Sequence, residues 1–282
     1  MFYDPLGTDT AGSVRVPASN CGLYGIRPSH GISPLQGVVM ASPSFDTLGI
    51  FANTYDILHK VATILFHLKA SQTQINTLYI PVDAFDLLTP SLNLAFQPCI
   101  NALKSAFHCE MITLSNAFNM PDQSVIELGL EIHGILKSIE VWKSFGSWVK
   151  QHHFPFSEPI KESFEYIAKI DPDIACEKVA IRNHLQQKLN TLLGPANILC
   201  IPTAAEPAPL LVTSREELKK SQYAKKTLSL CSIACIGDLP QITIPCITVE
   251  GRPLGLSFLM STQNDAALLS LGKTLAALLS ST

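Results

Sequence analysis

A short loop near the start of the chain contains the residues best suited to chemistry. Residues 6–18 read Leu-Gly-Thr-Asp-Thr-Ala-Gly-Ser-Val-Arg-Val-Pro-Ala, so the hydroxyl of Ser13 directly follows Gly12. Glycine lets a backbone come close to a ligand, and the amides from Thr10 to Ser13 could converge on an anion such as a reaction oxyanion. This pattern is typical of a serine nucleophile, which still needs a base to activate it.

Two charged residues flank this loop, and they leave more than one interpretation open. Asp9 and Arg15 are spaced so that a bidentate ion pair between them would lock the turn. On residue types alone, a plain Gly/Ser/Thr turn in which Ser13 only caps a helix is about as well supported as a loop that carries a nucleophile. A phosphate-binding loop does not fit, because Ser13 stands where its lysine belongs. A G-x-S-x-G elbow is excluded, because Arg15 replaces the second glycine.

The length, net charge and hydrophobic pattern of the chain argue against a nucleic-acid-binding or membrane-spanning protein. The chain has 282 residues, 47% of them hydrophobic, which is enough for one large domain or two small ones. The net charge of −3 argues against a nucleic-acid-binding protein. No uninterrupted run of eighteen apolar residues and no signal-peptide core are present, so we expect a cytoplasmic protein without membrane partners.

The cysteines and histidines do not form a recognisable metal site. The eight cysteines stand singly and indicate reduced thiols, and Cys231 and Cys235 lack zinc spacing. No other ligand type surrounds the pair His152 and His153. His30, in a glycine-flanked turn, is read as a histidine that bonds the backbone rather than as a base. We therefore expect no metal and no cofactor.

Alternating strand and helix patterns predict an α/β fold. Strands are predicted at 23–28, 38–40, 48–51, 77–82, 109–114, 198–201, 239–245 and 255–260, and residues 1–5 are expected to lead into the loop as a strand. Helices are predicted at 54–68 with Asn53 as N-cap, and at 91–107, 122–152, 161–170, 172–193, 215–236 and 265–279.

The chain resembles the amidase signature family. The resemblance is carried by residues 8–19, 21–31, 37–39 and 44–52 in that order, and in the tail by 237–240, Pro245 and 251–256. It is nearest to the indole-3-acetamide-hydrolase-like branch, which includes the amidase-like part of a chloroplast import receptor. The match is weakest in the helical middle, at about 120–195.

The resemblance implies a fold and a set of site residues. The fold would be a mixed β-sheet between helical layers. Ser13 would attack the amide carbonyl, and the backbone amides of Thr10, Ala11 and Gly12 would form the oxyanion hole, with Ala11 where many members have glycine. The family's proton relay is a second serine, held by a cis peptide and backed by an upstream lysine. Residues 1–12 contain neither Lys nor Ser.

The expected protein is therefore a C-terminal portion of an amidase domain, spanning 1–282 and lacking the N-terminal flank, with the region 120–195 shaping the pocket. We expect an amidase of impaired activity that acts on a small linear amide. The alternatives are a catalytically dead relic or binding module, or one half of a split amidase. Expected partners are a small-molecule amide substrate and either a complementary N-terminal fragment or a second copy of the chain.

Overall fold

The computed structural model describes residues 6–69, 71, 73–152 and 155–280. The strand predicted for residues 1–5 lies outside this part of the chain. The described strands are β1 Leu6–Thr8, β2 Tyr24–Arg27, β3 Leu48–Ala52, β4 Thr77–Pro81, β5 Cys109–Ile112, β6 Asn197–Pro202, β7 Gln241–Val249 and β8 Arg252–Leu259. The described helices are α1 Arg15–Cys21, α2 Tyr55–Leu65, α3 Val82–Phe85, α4 Pro90–Ala106, α5 Leu114–Ala117, α6 Val125–His152, α7 Glu158–Ile167, α8 Ala175–Leu193, α9 Arg215–Ser221, α10 Tyr223–Gly237 and α11 Asp265–Leu279, with a 3₁₀ turn at Pro172–Ile174.

The strands form one mixed sheet in the order β1-β3-β2-β7-β8-β6-β4-β5. Strand β4 pairs in parallel with β5 and β6, and the other pairs are antiparallel. This arrangement places β1, which leads directly into the serine loop, at one edge of the described sheet.

Helical layers cover both faces of the sheet, as predicted. Because side chains alternate along a strand, Ile198 and Cys200 of β6 join one core while Leu199 and Ile201 join the other. The first core lies under α2, α4 and α11. The second lies under α6, α8 and α10. The region 120–195 is helical, and it contributes α6, α7 and α8.

The structure corrects four local predictions. Residues 38–40 form no strand, although β-branched residues follow Gly37. The N-cap of α2 is Thr54 rather than Asn53, and its side chain accepts from the Ile57 amide. The strand predicted at 239–245 continues to Val249 through a bulge after Pro245.

The fourth correction concerns the helix predicted at 215–236. Gln222 adopts the left-handed conformation, with φ of 56°, and divides this helix into α9 and α10. No glycine or proline marks the break. The residues around it are mostly polar, so the helical spacing of apolar residues could not reveal an interruption here.

Candidate active site

The serine loop joins β1 to α1 and packs closely against α10. Gly12 has φ of 131°, a conformation that side chains disfavour. A Cβ at this position would lie 2.7 Å from Cys231 Sγ. The loop therefore needs glycine here for two reasons, backbone geometry and close approach.

Asp9 organises the loop from within. Its side chain is completely buried. One carboxylate oxygen accepts from the Gly12 amide at 2.8 Å, and the other accepts from the amides of Val14 at 3.1 Å and Arg15 at 3.3 Å. Three backbone donors on one carboxylate fix the path of the chain around Ser13.

Asp9 and Arg15 form the ion pair that their spacing predicts. The guanidinium binds the carboxylate in a bidentate manner, with Nε 3.0 Å from Oδ2 and Nη2 2.9 Å from Oδ1. Arg15 Nη1 donates to the carbonyl of Cys231 at 2.8 Å and to Gln241 Oε1 at 2.7 Å. This one side chain therefore ties the loop to α10 and β7.

Arg27 is a second buried cation, whose role the sequence did not reveal. Its Nη1 donates to the Asp9 carbonyl and lies 3.3 Å from Asp9 Oδ1, while Nη2 donates to the carbonyl of Phe45 at 3.0 Å. The sequence did contain one indication of this role, because Arg27 is the single charged residue in an otherwise uncharged strand. Burial raises the pKa of Asp9, but Arg15, Arg27 and the Val14 amide outweigh it and hold that pKa well below its usual range.

Ser13 is exposed and lies immediately before α1. It does not cap this helix, because the N-cap residue is Val14 and no side-chain capping bond is present. Among the described residues, the Ser13 hydroxyl has no hydrogen-bond partner. The helix-cap interpretation therefore does not account for Ser13.

The three amides expected to bind an oxyanion differ from one another. The Gly12 amide points into the protein and donates to Asp9. The amides of Thr10 and Ala11 have no acceptor within the described ranges. Only these two of the three expected donors are left unengaged by the loop itself.

A cavity of about 320 Å³ opens beside Ser13. Its walls come from the serine loop with α1 and from the first turns of α10, and they carry no charged side chain. The lining residues are Ala11, Gly12, Ser13, Val16, Pro17, Tyr223, Ala224, Thr227 and Leu228. The cavity suits an apolar group held next to the serine hydroxyl.

Two residues from distant parts of the chain meet beneath the loop at the Thr10 carbonyl. His133 Nε2 lies 3.0 Å from this oxygen and Cys235 Sγ lies 3.5 Å from it. Neither contact follows from any sequence pattern, because α6 and α10 are more than a hundred residues away. Burial raises the pKa of Cys235, but Arg27, His133 and Arg15 outweigh it and lower that pKa to about 6.

Among the histidines considered as candidate bases or metal ligands, those that the structure describes make structural contacts instead. The His30 ring bonds the Pro43 carbonyl at 2.8 Å, and the His152 ring bonds the Trp148 carbonyl at 2.9 Å, while His153 lies outside the described residues. No group of three or more His, Cys, Asp or Glu suited to a metal occurs in the described ranges. None of the helices described is both long and apolar enough to cross a membrane.

The fold is that of an amidase. A crystal structure of an amidase superposes with a TM-score of 0.85 at 24% identity, covering 98% of this chain and 63% of the other. The family model described as Amidase matches residues 5–85, which include the whole serine loop. The first part of the chain therefore matches the amidase family, as the resemblance implied, and the fold of the described residues is the one seen in amidases.

Curated relatives cover nearly the whole chain. Amidase 1 of Arabidopsis thaliana is 29% identical over 96% of this chain and 69% of its own length. The Pisum sativum protein "Translocon at the outer membrane of chloroplasts 64" is 30% identical over 96% of this chain and 49% of its own length. The chain thus spans from about half to about two thirds of the length of these relatives.

Proposed function

We propose that this chain carries the nucleophile of an amide hydrolase and that Ser13 is that nucleophile. Ser13 Oγ would attack the amide carbonyl as a base takes its proton. The tetrahedral intermediate would then expel the amine, which takes up that proton, and leave an acyl-enzyme. Water would hydrolyse this ester to release a carboxylic acid. The observation that carries the proposal is an exposed Ser13 beside a cavity, on a loop fixed by Asp9, whose hydroxyl has no partner among the residues that the structure describes.

The oxyanion would be bound by backbone amides. Thr10 and Ala11 supply donors that the loop leaves unengaged, and Ala11 lines the same cavity as Ser13. One such donor is typically worth about 10²–10³-fold in rate. Because Gly12 donates to Asp9, its amide would contribute less than the other two.

The base is proposed to come from outside these 282 residues. His30 and His133 bond backbone carbonyls rather than Ser13. General-base help is typically worth about 10²–10⁴-fold. We therefore expect at most trace activity from the chain alone, and restoration by a complementary fragment that carries the lysine and the cis-serine of the family. A relic or binding module would bind amides in the cavity without turnover.

The substrate class is proposed from the cavity walls. Since no charged side chain lines it, an uncharged linear amide with an apolar acyl group would suit it best. A cytoplasmic location is also proposed, because all eight cysteines are free thiols. Fractionation of cells that express the chain would test the location.

The test of the nucleophile is covalent labelling of the chain with a fluorophosphonate in the presence of the complementary fragment that supplies the base, followed by peptide mapping. We expect the label on Ser13 and its loss in Ser13→Ala, while Ser105→Ala, at an exposed serine on α4, labels as the wild type does. Labelling that persists in Ser13→Ala would overturn the assignment.

Turnover of simple aryl and aliphatic amides tests the origin of the base. The wild-type chain should show only trace hydrolysis, and the complementary fragment should raise it. Robust hydrolysis by the chain alone, abolished in Ser13→Ala, would refute an external base and require one within the chain.

A further inference from the structure

Two side chains contact the Thr10 carbonyl from below, and the shorter contact belongs to His133, which has no place in the reaction described above. His133 is only 3% exposed, and its Nε2 lies 3.0 Å from the carbonyl oxygen. A carbonyl oxygen can only accept, so Nε2 must carry the ring proton. The neutral Nε2–H tautomer or the protonated ring satisfies this contact, and the Nδ1–H tautomer does not.

This contact determines where the next amide points. A trans peptide is planar, and its C=O and N–H point in opposite directions. With the Thr10 carbonyl directed towards His133 of α6 and Cys235 in the last turn of α10, the Ala11 N–H is directed away from these two side chains. Ala11 itself lines the cavity beside Ser13, whose other wall is formed by the first turns of α10. The Ala11 N–H donates to no acceptor among the described residues, so it is available to a bound ligand.

The His133 ring is itself fixed by aromatic packing. The His133 and Phe45 rings pack in a T-shaped arrangement with centroids 4.7 Å apart. The Phe45 ring in turn packs against Arg182, whose guanidinium lies 4.3 Å from the Phe45 centroid. Two turns further along α6, Glu140 accepts from the hydroxyl of Ser42 at 2.6 Å and from the amide of Ser44 at 3.0 Å. One face of α6 is thus bound to the segment that surrounds the loop.

We propose that His133 is a positioning residue that orients the Thr10–Ala11 peptide, so that the Ala11 amide faces the carbonyl under attack by Ser13. Its catalytic consequence rests on the function proposed above, but the peptide orientation does not. The helical region between β5 and β6 then supports the oxyanion site from below.

Two variants separate hydrogen bonding from packing. His133→Phe keeps a ring against Phe45 and removes the donor. His133→Gln offers an amide N–H at nearly the position of Nε2. His184→Phe, at an exposed histidine on α8, is the matched control. Crystal structures should show the Thr10–Ala11 peptide rotated in His133→Phe and unchanged in the other two. An unchanged peptide in His133→Phe would overturn the proposal.

A measurement on the wild type does not depend on any variant folding. Nitrogen-15 NMR of the histidine rings should find a proton on Nε2 of His133, and an unprotonated Nε2 would overturn the proposal.

The rate of fluorophosphonate labelling of Ser13, measured with the complementary fragment present to supply the base, tests the catalytic consequence. The rate should fall by about 10²-fold in His133→Phe, as for the loss of one oxyanion donor, and should recover in His133→Gln. An unchanged rate in His133→Phe would refute the catalytic part. Absence of labelling in the wild type would refute the nucleophile instead, while the crystal structures still decide the orientation.

Discussion

Asp9 and Asp265 are both completely buried, yet their surroundings differ. Asp9 contacts the guanidinium groups of two arginines and three backbone amides. Asp265 begins α11 and accepts from the amide of Ser29 at 2.8 Å and from its hydroxyl at 2.6 Å. One carboxylate has cationic partners, and the other has neutral partners and the start of its own helix.

The pKa values of the two carboxyl groups move in opposite directions. Burial raises both. At Asp9 the two arginines reverse the shift, whereas at Asp265 the hydrogen bonds from Ser29 only reduce it. Burial alone therefore does not decide whether a carboxylate is stable as an anion. The serine loop is held by charge, and the last helix is held by hydrogen bonding.

The largest effect should come from Asp9→Asn. It would leave Arg15 and Arg27 buried without their counter-ion, and breaking a buried pair in this way typically costs about 3–5 kcal/mol. Urea unfolding monitored by circular dichroism would measure the loss. Asp56→Asn, which removes an exposed contact to Lys273, should change stability by less than about 0.5 kcal/mol. Equal unfolding midpoints for the two variants would contradict an electrostatic lock.

Arg15→Lys should have an intermediate effect. Lysine keeps the charge but cannot bind Asp9 in a bidentate manner while it also reaches Cys231 and Gln241. We expect a loss of about 2–3 kcal/mol, the scale of a hydrogen bond between charged groups, in the same unfolding experiment. A lysine variant as stable as the wild type would show that charge alone, without geometry, locks the loop.

Asp265→Asn should be nearly neutral at pH 7. Asparagine keeps one oxygen that accepts from the Ser29 amide and loses the second acceptor used by the Ser29 hydroxyl, but no cation is left unpaired and the variant avoids burying a charge. We expect a change within about 1 kcal/mol in either direction. A loss as large as that of Asp9→Asn would erase the difference between the two sites.

The smallest effect is the difference in pH dependence between the variants. The depressed pKa of Asp9 contributes stability above its unfolded value of about 4, and this is lost as the pH falls. The raised pKa of Asp265 acts in the opposite sense, because stability is lost as the pH rises through it. Between pH 6 and 3, unfolding free energy should therefore fall less steeply in Asp9→Asn and more steeply in Asp265→Asn than in the wild type. Parallel curves would contradict these opposite signs.

The sequence predicted the local parts of the site well. Asp9 and Arg15 are six residues apart, so the turn between them limits where they can lie, and their pairing followed from spacing. Apolar periodicity likewise predicted most strands and helices. The prediction of helical layers on both faces of the sheet was confirmed because the two faces of strands such as β6 are both apolar and enter two different cores.

The parts that could not be predicted depend on contacts between distant segments. His133 is 123 residues from Thr10, and helical periodicity identifies its buried face without its partner. The inward turn of the Gly12 amide depends on the rotamer of Asp9. The break at Gln222 lies in an exposed polar run without glycine or proline, so no residue type in the sequence marks its left-handed conformation.

The two walls of the cavity beside Ser13 come from opposite ends of the chain. One wall belongs to the loop that holds the serine, and the other to the first turns of α10, from Tyr223 to Leu228. In the proposed hydrolase, substitutions at Ala224 or Leu228 would reshape the acyl-binding surface without disturbing the ion pairs at Asp9. Under the proposed function, selectivity could therefore evolve independently of reactivity, and a library randomised at only these two positions would test new substrates on the same proposed nucleophile, Ser13.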